Sequence, residues 1–205
     1  MSEVLWHAVE AREALEAAGT AELSDAARAL LVDGLAPARF LDALVSEKLF
    51  LDAIRFLATA LPAREAVLWA SKSAREVHGE APSAAIEAAI QAAERWASEP
   101  DEPNRREAEK AARVAGANTP AGCASLAAFW SGGSLAPESS PGVVPPPSHL
   151  TARGVTAAVM LAAVIREPEK AEEHYRNLLA IGSEIATGRL RFSTVLASTP
   201  SIKPT

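Results

Sequence analysis

The chain has 205 residues, enough for one domain whose core needs neither disulfides nor metals, and its single cysteine, Cys123, excludes an internal disulfide or a cysteine-based zinc site. The formal net charge of −6 argues against a general nucleic-acid surface, which needs clustered Lys and Arg. Hydrophobic residues make up 49 % but aromatics only 5 %, and alanine supplies much of the difference, which favours helices that approach closely.

In chain order, residues 3–18 are predicted to form a first helix, with Val4, Leu5, Ala8, Ala11 and Leu15 on one side and Gly19 as its stop. Residues 24–32 make a short helix ended by Asp33 and Gly34. Pro37 opens the next, with Phe40, Leu41, Leu44 and Val45 facing inward. In residues 49–60 the stripe Phe50, Ile54, Leu57, Leu61 recurs at spacings of four, three and four, which is helical. Pro62 begins a helix to about His78, closed by Gly79. Pro82 and Ser83 begin another to about Ser98, with Ile86, Ile90, Ala93 and Ala97 inside.

After a loop at 99–103, Asn104 is the expected N-cap, with Glu107 as its capping partner, and Ala108, Ala111, Ala112 and Ala115 share one side up to Gly116. Thr119 and Pro120 begin a helix to about Trp130 that stops at Gly132 and Gly133. Residues 131–149 hold five prolines and five serines and form the one long linker, extended and semi-rigid at Pro145, Pro146 and Pro147. Ser148 or Thr151 is the expected cap of a helix to Ile165. Pro168 opens the last helix, with Tyr175, Leu178, Leu179, Gly182 and Ile185 on one face.

The expected fold is therefore all-α: an irregular, helical-repeat-like stack of about ten antiparallel helices with one long Pro/Gly/Ser linker. A single domain is expected over residues 1–187, with the linker inside it. Residues 188–205 are expected to be a tail, flexible or docked as an extended arm from Leu190. The longest strongly apolar stretch, 155–165, is 11 residues, well short of the roughly 20 that cross a bilayer. The N-terminus lacks a basic start followed by an apolar run, so the expectation is a cytoplasmic protein with no membrane association.

Charge is unevenly placed. Residues 1–118 carry 20 acidic and 13 basic residues, a net −7, whereas residues 119–205 carry 6 and 7, a net +1. Between 119 and 165 only Glu138 and Arg153 are charged, where an average composition would place about 12 charges. Two causes fit. The helices 120–130 and 151–165 are central and covered, the linker wrapping over the core. Alternatively, part of the run is a partner surface anchored by Trp130, Leu135, Val143, Val144 and the prolines, Pro146 among them, since aromatic, charge-poor patches mark interface centres. Both can hold at once.

Residue patterns for chemistry are sparse. His7, His78, His149 and His174 are never three or four apart, so no helical metal face is expected. His7 and His174 are expected to be solvated, and His149 to cap or pack. The SGGS at 131–134 follows a helix instead of leading into one, so it reads as a stop and not a phosphate cradle. Cys123 lacks the electropositive setting of a reactive thiolate and is expected to be a small buried hydrophobe. Trp69, Trp96 and Trp130 are expected to pack. No catalytic, cofactor-binding or metal-ligating set is expected.

The block TPAGCASLAAFWSGGSLAP at 119–137, the prolines and His149, Leu150 and Thr151 resemble the signature of an uncharacterised bacterial family of unknown function. The likeness extends to FLATALPAREAV at 56–67 and to residues 100–116. It implies a helical bacterial protein and no particular chemistry, and it associates the chain with type VI secretion gene clusters. Where that family's pattern favours a bulky aromatic, this chain has Cys123. Residues 167–180, EPEKAEEHYRNLLA, are similar to one tetratricopeptide-repeat helix, and 41–62 has a comparable helix-pair look. No period of about 34 residues accompanies them.

The functional expectation is a non-enzymatic adaptor or scaffold that binds another protein, with Trp130, Leu135, Val143, Val144, Pro146, His149 and Arg153 as candidate interface. The alternatives are an accessory part of a type VI secretion system, and a small-molecule-binding or enzymatic helical domain with a site near His149 and Arg153. Partner identity and oligomeric state stay open.

Overall fold

The computed structural model describes residues 6–79 and 81–190, and among them the regular structure is helical throughout. The elements are α1 (Ala14–Ala18), α2 (Asp25–Ala29), α3 (Pro37–Ser46), α4 (Phe50–Ala60), α5 (Ala63–His78), α6 (Ala84–Ser98), α7 (Glu102–Ala115), α8 (Pro120–Phe129), α9 (Leu150–Val164) and α10 (Ala171–Ala186). A 3₁₀ turn at Pro168–Lys170 leads into α10. The all-α expectation is met.

Helix α8 lies at the centre. It packs against α5, α6, α7 and α9, and nine of its ten residues are buried, all but Leu126. Its sequence PAGCASLAAF has no charge and no polar face, as a helix covered on every side requires. The one buried hydroxyl on it, Ser125 Oγ, donates to Ala89 O at 2.6 Å. Cys123 is buried, as expected, and its Sγ donates to Ala117 O at 3.1 Å. Thr119 caps the helix by accepting from Gly122 N at 3.0 Å.

Around α8 the predicted inner stripes of α3 to α6 face the core. Phe40 meets Phe56 edge to face at 4.8 Å between centroids, a favoured aromatic geometry. Trp69 is fully buried, and its Nε1 donates to Leu178 O at 2.7 Å, tying α5 to α10. Trp96 is also buried. Ser83 caps α6 through Ile86 N.

Four local expectations are corrected. The predicted helix at 3–18 is helical only over Ala14–Ala18; residues 6–13 are turns and coil, and Val4 and Leu5 lie outside the described residues. Tertiary anchoring outweighs helix propensity there. Trp6 inserts beside Phe56, and Ala8 N donates to Ala186 O at the end of α10, a donor that a helix would have used internally. Leu15, placed on the inner face by periodicity, is 57 % exposed, and Ala14, Ala17 and Ala18 face the core instead. Asp101, not Asn104, caps α7, accepting from Asn104 N at 2.8 Å, so that Pro103 falls in the first turn where its missing N–H costs nothing. At α9 neither Ser148 nor Thr151 caps: His149 holds that position without a side-chain bond, and Thr151 is buried inside the helix. Of the predicted tail, Gly188 to Leu190 follow α10, with Leu190 packed on the core, while 191–205 lie outside the described residues.

Helices α8 and α9 meet at Gly154, where a Cβ would stand 2.9 Å from Ala127 Cβ and 3.0 Å from Ala127 Cα. Those atoms cannot swing aside. Gly154→Ala is therefore expected to lower stability by about 1–2 kcal/mol, crowding outweighing the gain in helix propensity. Gly132→Ala, with nothing within 4 Å, should show no comparable loss in a denaturant melt.

Candidate functional site

Helix α9 has two apolar faces. Thr151, Gly154, Val155, Ala158, Val159, Ala162 and Ala163 are buried against the fold. The other face, with Ala152, Thr156, Ala157 and Met160, is half-buried and floors an open cleft of about 490 Å³. Its opposite wall comes from Thr20, Ala21 and Glu22, and from Arg55 and Thr59 of α4. The cleft runs on into a second recess of about 450 Å³ walled by Trp130, Ser131, Gly132, Gly133 and the Pro145–Pro146–Pro147 run. Thr20, Thr59, His149 and Ala152 border both.

Four of the seven candidate interface residues meet there. His149 and Arg153 line the first recess, and Trp130, Pro146 and His149 the second. The other three do not join them. Val143 and Val144 are 77 % and 51 % exposed on the outer part of the linker, and Leu135 is half-buried at its base. Leu135 N donates to Val144 O at 2.7 Å and Val144 N to Ser134 Oγ at 3.0 Å, so the intervening residues close into a surface loop. The linker thus does not wrap over the core as expected: residues 137–145 are all exposed. His7 is exposed, whereas His174, expected to be solvated, is half-buried with Nδ1 2.9 Å from Ala163 O.

Two arginines hold the base of the linker. Arg105 and Arg106 on α7 are only 3 % and 6 % exposed. Arg105 donates to Phe129 O at 2.7 Å and Ser134 O at 3.0 Å, and Arg106 to Ala136 O at 2.9 Å. Both guanidinium groups lie over the Phe129 ring, at 4.8 and 5.5 Å. Glu102 accepts from both arginines, and Glu109 also accepts from Arg106. Gly133 has φ +63° and passes directly over Arg105, where a Cβ would sit 2.8 Å from Nε. The SGGS segment therefore does more than stop α8; it lets the chain lie on a guanidinium. Arg105 carries a sequence signal, since 105, 108 and 112 share one side of α7 at helical spacing; Arg106 lies off that stripe.

The electrostatics follow from these contacts. The Arg105 hydrogen bond, against some cost of burial and with help from Arg106, holds the Glu102 carboxyl below its usual range. Burial opposes ionisation of Glu109, but Arg113 and Arg106 outweigh it and its pKa is also lowered. At the cleft, the Arg153 hydrogen bond and charge lower the pKa of Glu22, with Arg55 and His149 adding to them. Burial pushes the Cys123 thiol up, away from thiolate chemistry. Among the described residues no three His, Cys, Asp or Glu side chains cluster to hold a metal ion, and no helix is long and apolar enough to cross a membrane.

Residues 40–186 match a family of unknown function, DUF6931. The chain belongs to that family. No curated protein and no solved structure matches it. The DUF6931 span contains both arginines of the linker base, Trp130, His149 and Arg153, but not the cleft wall at Thr20 to Glu22, which the preceding segment supplies.

Arg105→Met is expected to cost about 2 kcal/mol, because it strands the buried Phe129 carbonyl and frees Ser134 O. Limited proteolysis should then cut near Leu135 faster than in the unaltered chain. The Glu102 and Glu109 contributions have a defined sign. With pKa lowered by folding, they stabilise above the ordinary carboxylate value and fade as pH falls through the lowered one. Cutting of the unaltered linker base should therefore accelerate only once the pH falls below the ordinary glutamate range.

Proposed function

We propose that this protein is a non-catalytic interaction domain whose cleft along α9 holds a short segment of a partner protein. The observation that carries this is the outer face of α9. An ordinary surface helix turns charged residues outward, yet here Ala152, Thr156, Ala157 and Met160 face an open cleft with Arg153 the one charge among the cleft-lining residues of α9. Burial explains why α8 is uncharged; it does not explain this second face. An apolar floor with an aromatic at one end and a polar rim has the anatomy of an interface centre. Trp130 and Pro146 supply a rigid apolar end, and Glu22, Arg55, His149 and Arg153 supply the rim.

A photo-crosslinking residue placed at Thr156, on the cleft floor, should capture a partner in the native host, and Trp130→Ala should reduce that capture. The same residue at Val114, 74 % exposed on α7, should not capture it. Equal capture at both positions would contradict a dedicated cleft.

A further inference from the structure

We infer that the rim of the cleft formed by Arg55, Arg153 and His149 is a carboxylate subsite, occupied here by the chain's own Glu22, and that the partner segment is acidic and exchanges its carboxylate for that of Glu22. This deepens the interaction reading and rests on it.

Residues 20–24 form a turned segment, with Ala21 N donating to Ala18 O and Leu23 N to Ala21 O, that reaches both α4 and the start of α9. Arg55 Nη1 donates to Glu22 O at 2.9 Å, and Arg153 Nη2 donates to Glu22 Oε1. One residue pair further on, Ser24 N and Oγ donate to Asp52 at 2.7 and 2.9 Å. These two anchorages differ in kind. Asp52 is buried and Ser24 also caps α2, so that contact is part of the fold. The Glu22–Arg153 pair is open to water on both sides, with side chains 64 % and 56 % exposed. Exposed pairs of that kind are weakly held, so the carboxylate can leave while Ser24 keeps the segment in place.

Charge complementarity selects the partner. Arg153 holds the Glu22 carboxylate, Arg55 holds the backbone carbonyl of the same residue, and His149 lines the same recess, in a chain whose net charge is −6. Removing Glu22 from the rim leaves Arg55, Arg153 and His149 beside the apolar floor of Ala152, Thr156, Ala157 and Met160. A ligand that matches has a carboxylate flanked by aliphatic side chains. Such a segment is steered by the local positive field and gains apolar contacts that Glu22 does not make.

The probe is an N-acetylated, C-amidated pentapeptide, Ala-Leu-Glu-Leu-Ala, and its Gln counterpart, titrated into the full chain while the Met160 methyl resonance is followed. The Glu peptide should shift that resonance and bind more tightly than the Gln peptide. Glu22→Gln should tighten binding of the Glu peptide by about threefold, the scale of an exposed ion pair. Arg153→Gln should weaken it by about fivefold and abolish the preference for Glu over Gln. Both substitutions are at exposed side chains, and an unchanged melting curve confirms that each variant is folded. Equal binding of the two peptides, no shift at millimolar peptide, or an affinity indifferent to Glu22→Gln overturns the inference. If a partner crosslinks at Thr156 while the two peptides behave alike, the interaction reading stands and the carboxylate subsite falls. If the peptides are distinguished and nothing crosslinks, the rim binds carboxylates but the partner reading, and with it the acidic partner segment, falls.

Discussion

The fold depends on enclosing one helix completely. Helix α8 is surrounded by α5, α6, α7 and α9, and its side chains are small enough for those neighbours to come in close. A charge at any of its nine buried positions would lie in the core without a partner, at a cost comparable to a domain's whole stability. The close approach at Gly154 and Ala127 fixes how α9 lies on α8, and therefore which face of α9 is left outside. The cleft is the consequence of that choice.

The uncharged run from 119 to 165 thus has three fates. In α8 it is core. In α9 one face is core and the other floors the cleft. Between them, the linker stands in water from 137 to 145, with Glu138 its one charge. What keeps this loop from leaving the fold is a charge cluster on the neighbouring helix: Arg105 and Arg106, neutralised by Glu102 and Glu109, donate to three backbone carbonyls at the linker's base. Arginine suits this, because its planar fork satisfies several acceptors at once while stacking on Phe129. The linker base in turn positions Trp130 and the proline run as the far wall of the cleft.

Much of this was legible from sequence. Prolines at or just before helix starts, the glycine stop at Gly79, and the caps at Ser83 and Thr119 placed α5, α6 and α8 closely, because those signals are local backbone chemistry. The N-terminal helix failed because Trp6 finds its partner at Phe56, fifty residues away, and no local propensity registers that contact. Trp130, Pro146, His149 and Arg153, singled out by their place in the charge-poor run, line one continuous cleft. Val143 and Val144 stand apart from it on the exposed loop, since hydrophobicity alone does not say whether a loop folds back or stands out. Arg105 and Arg106 went unnoticed because paired arginines usually signify a solvated surface; only the register of Arg105 with Ala108 and Ala112 marks it as inward, and Arg106 has no such local signal. Glu22 was invisible as a site residue, because its meeting with Arg153 joins positions 131 apart.

The central claim is that the uncharged run is shielded in its helices and pinned, though not covered, in its linker. Native-state hydrogen exchange, resolved by residue across 119–165, tests it most directly. The account predicts that amides of α8 and the inner face of α9 exchange only through global unfolding, that Leu135, Val144 and Ser140 show intermediate protection from their hydrogen bonds, and that Glu138, Ser139, Gly142 and Val143 exchange at nearly the rate of a free peptide. Exchange of α8 as fast as at those loop amides would contradict it.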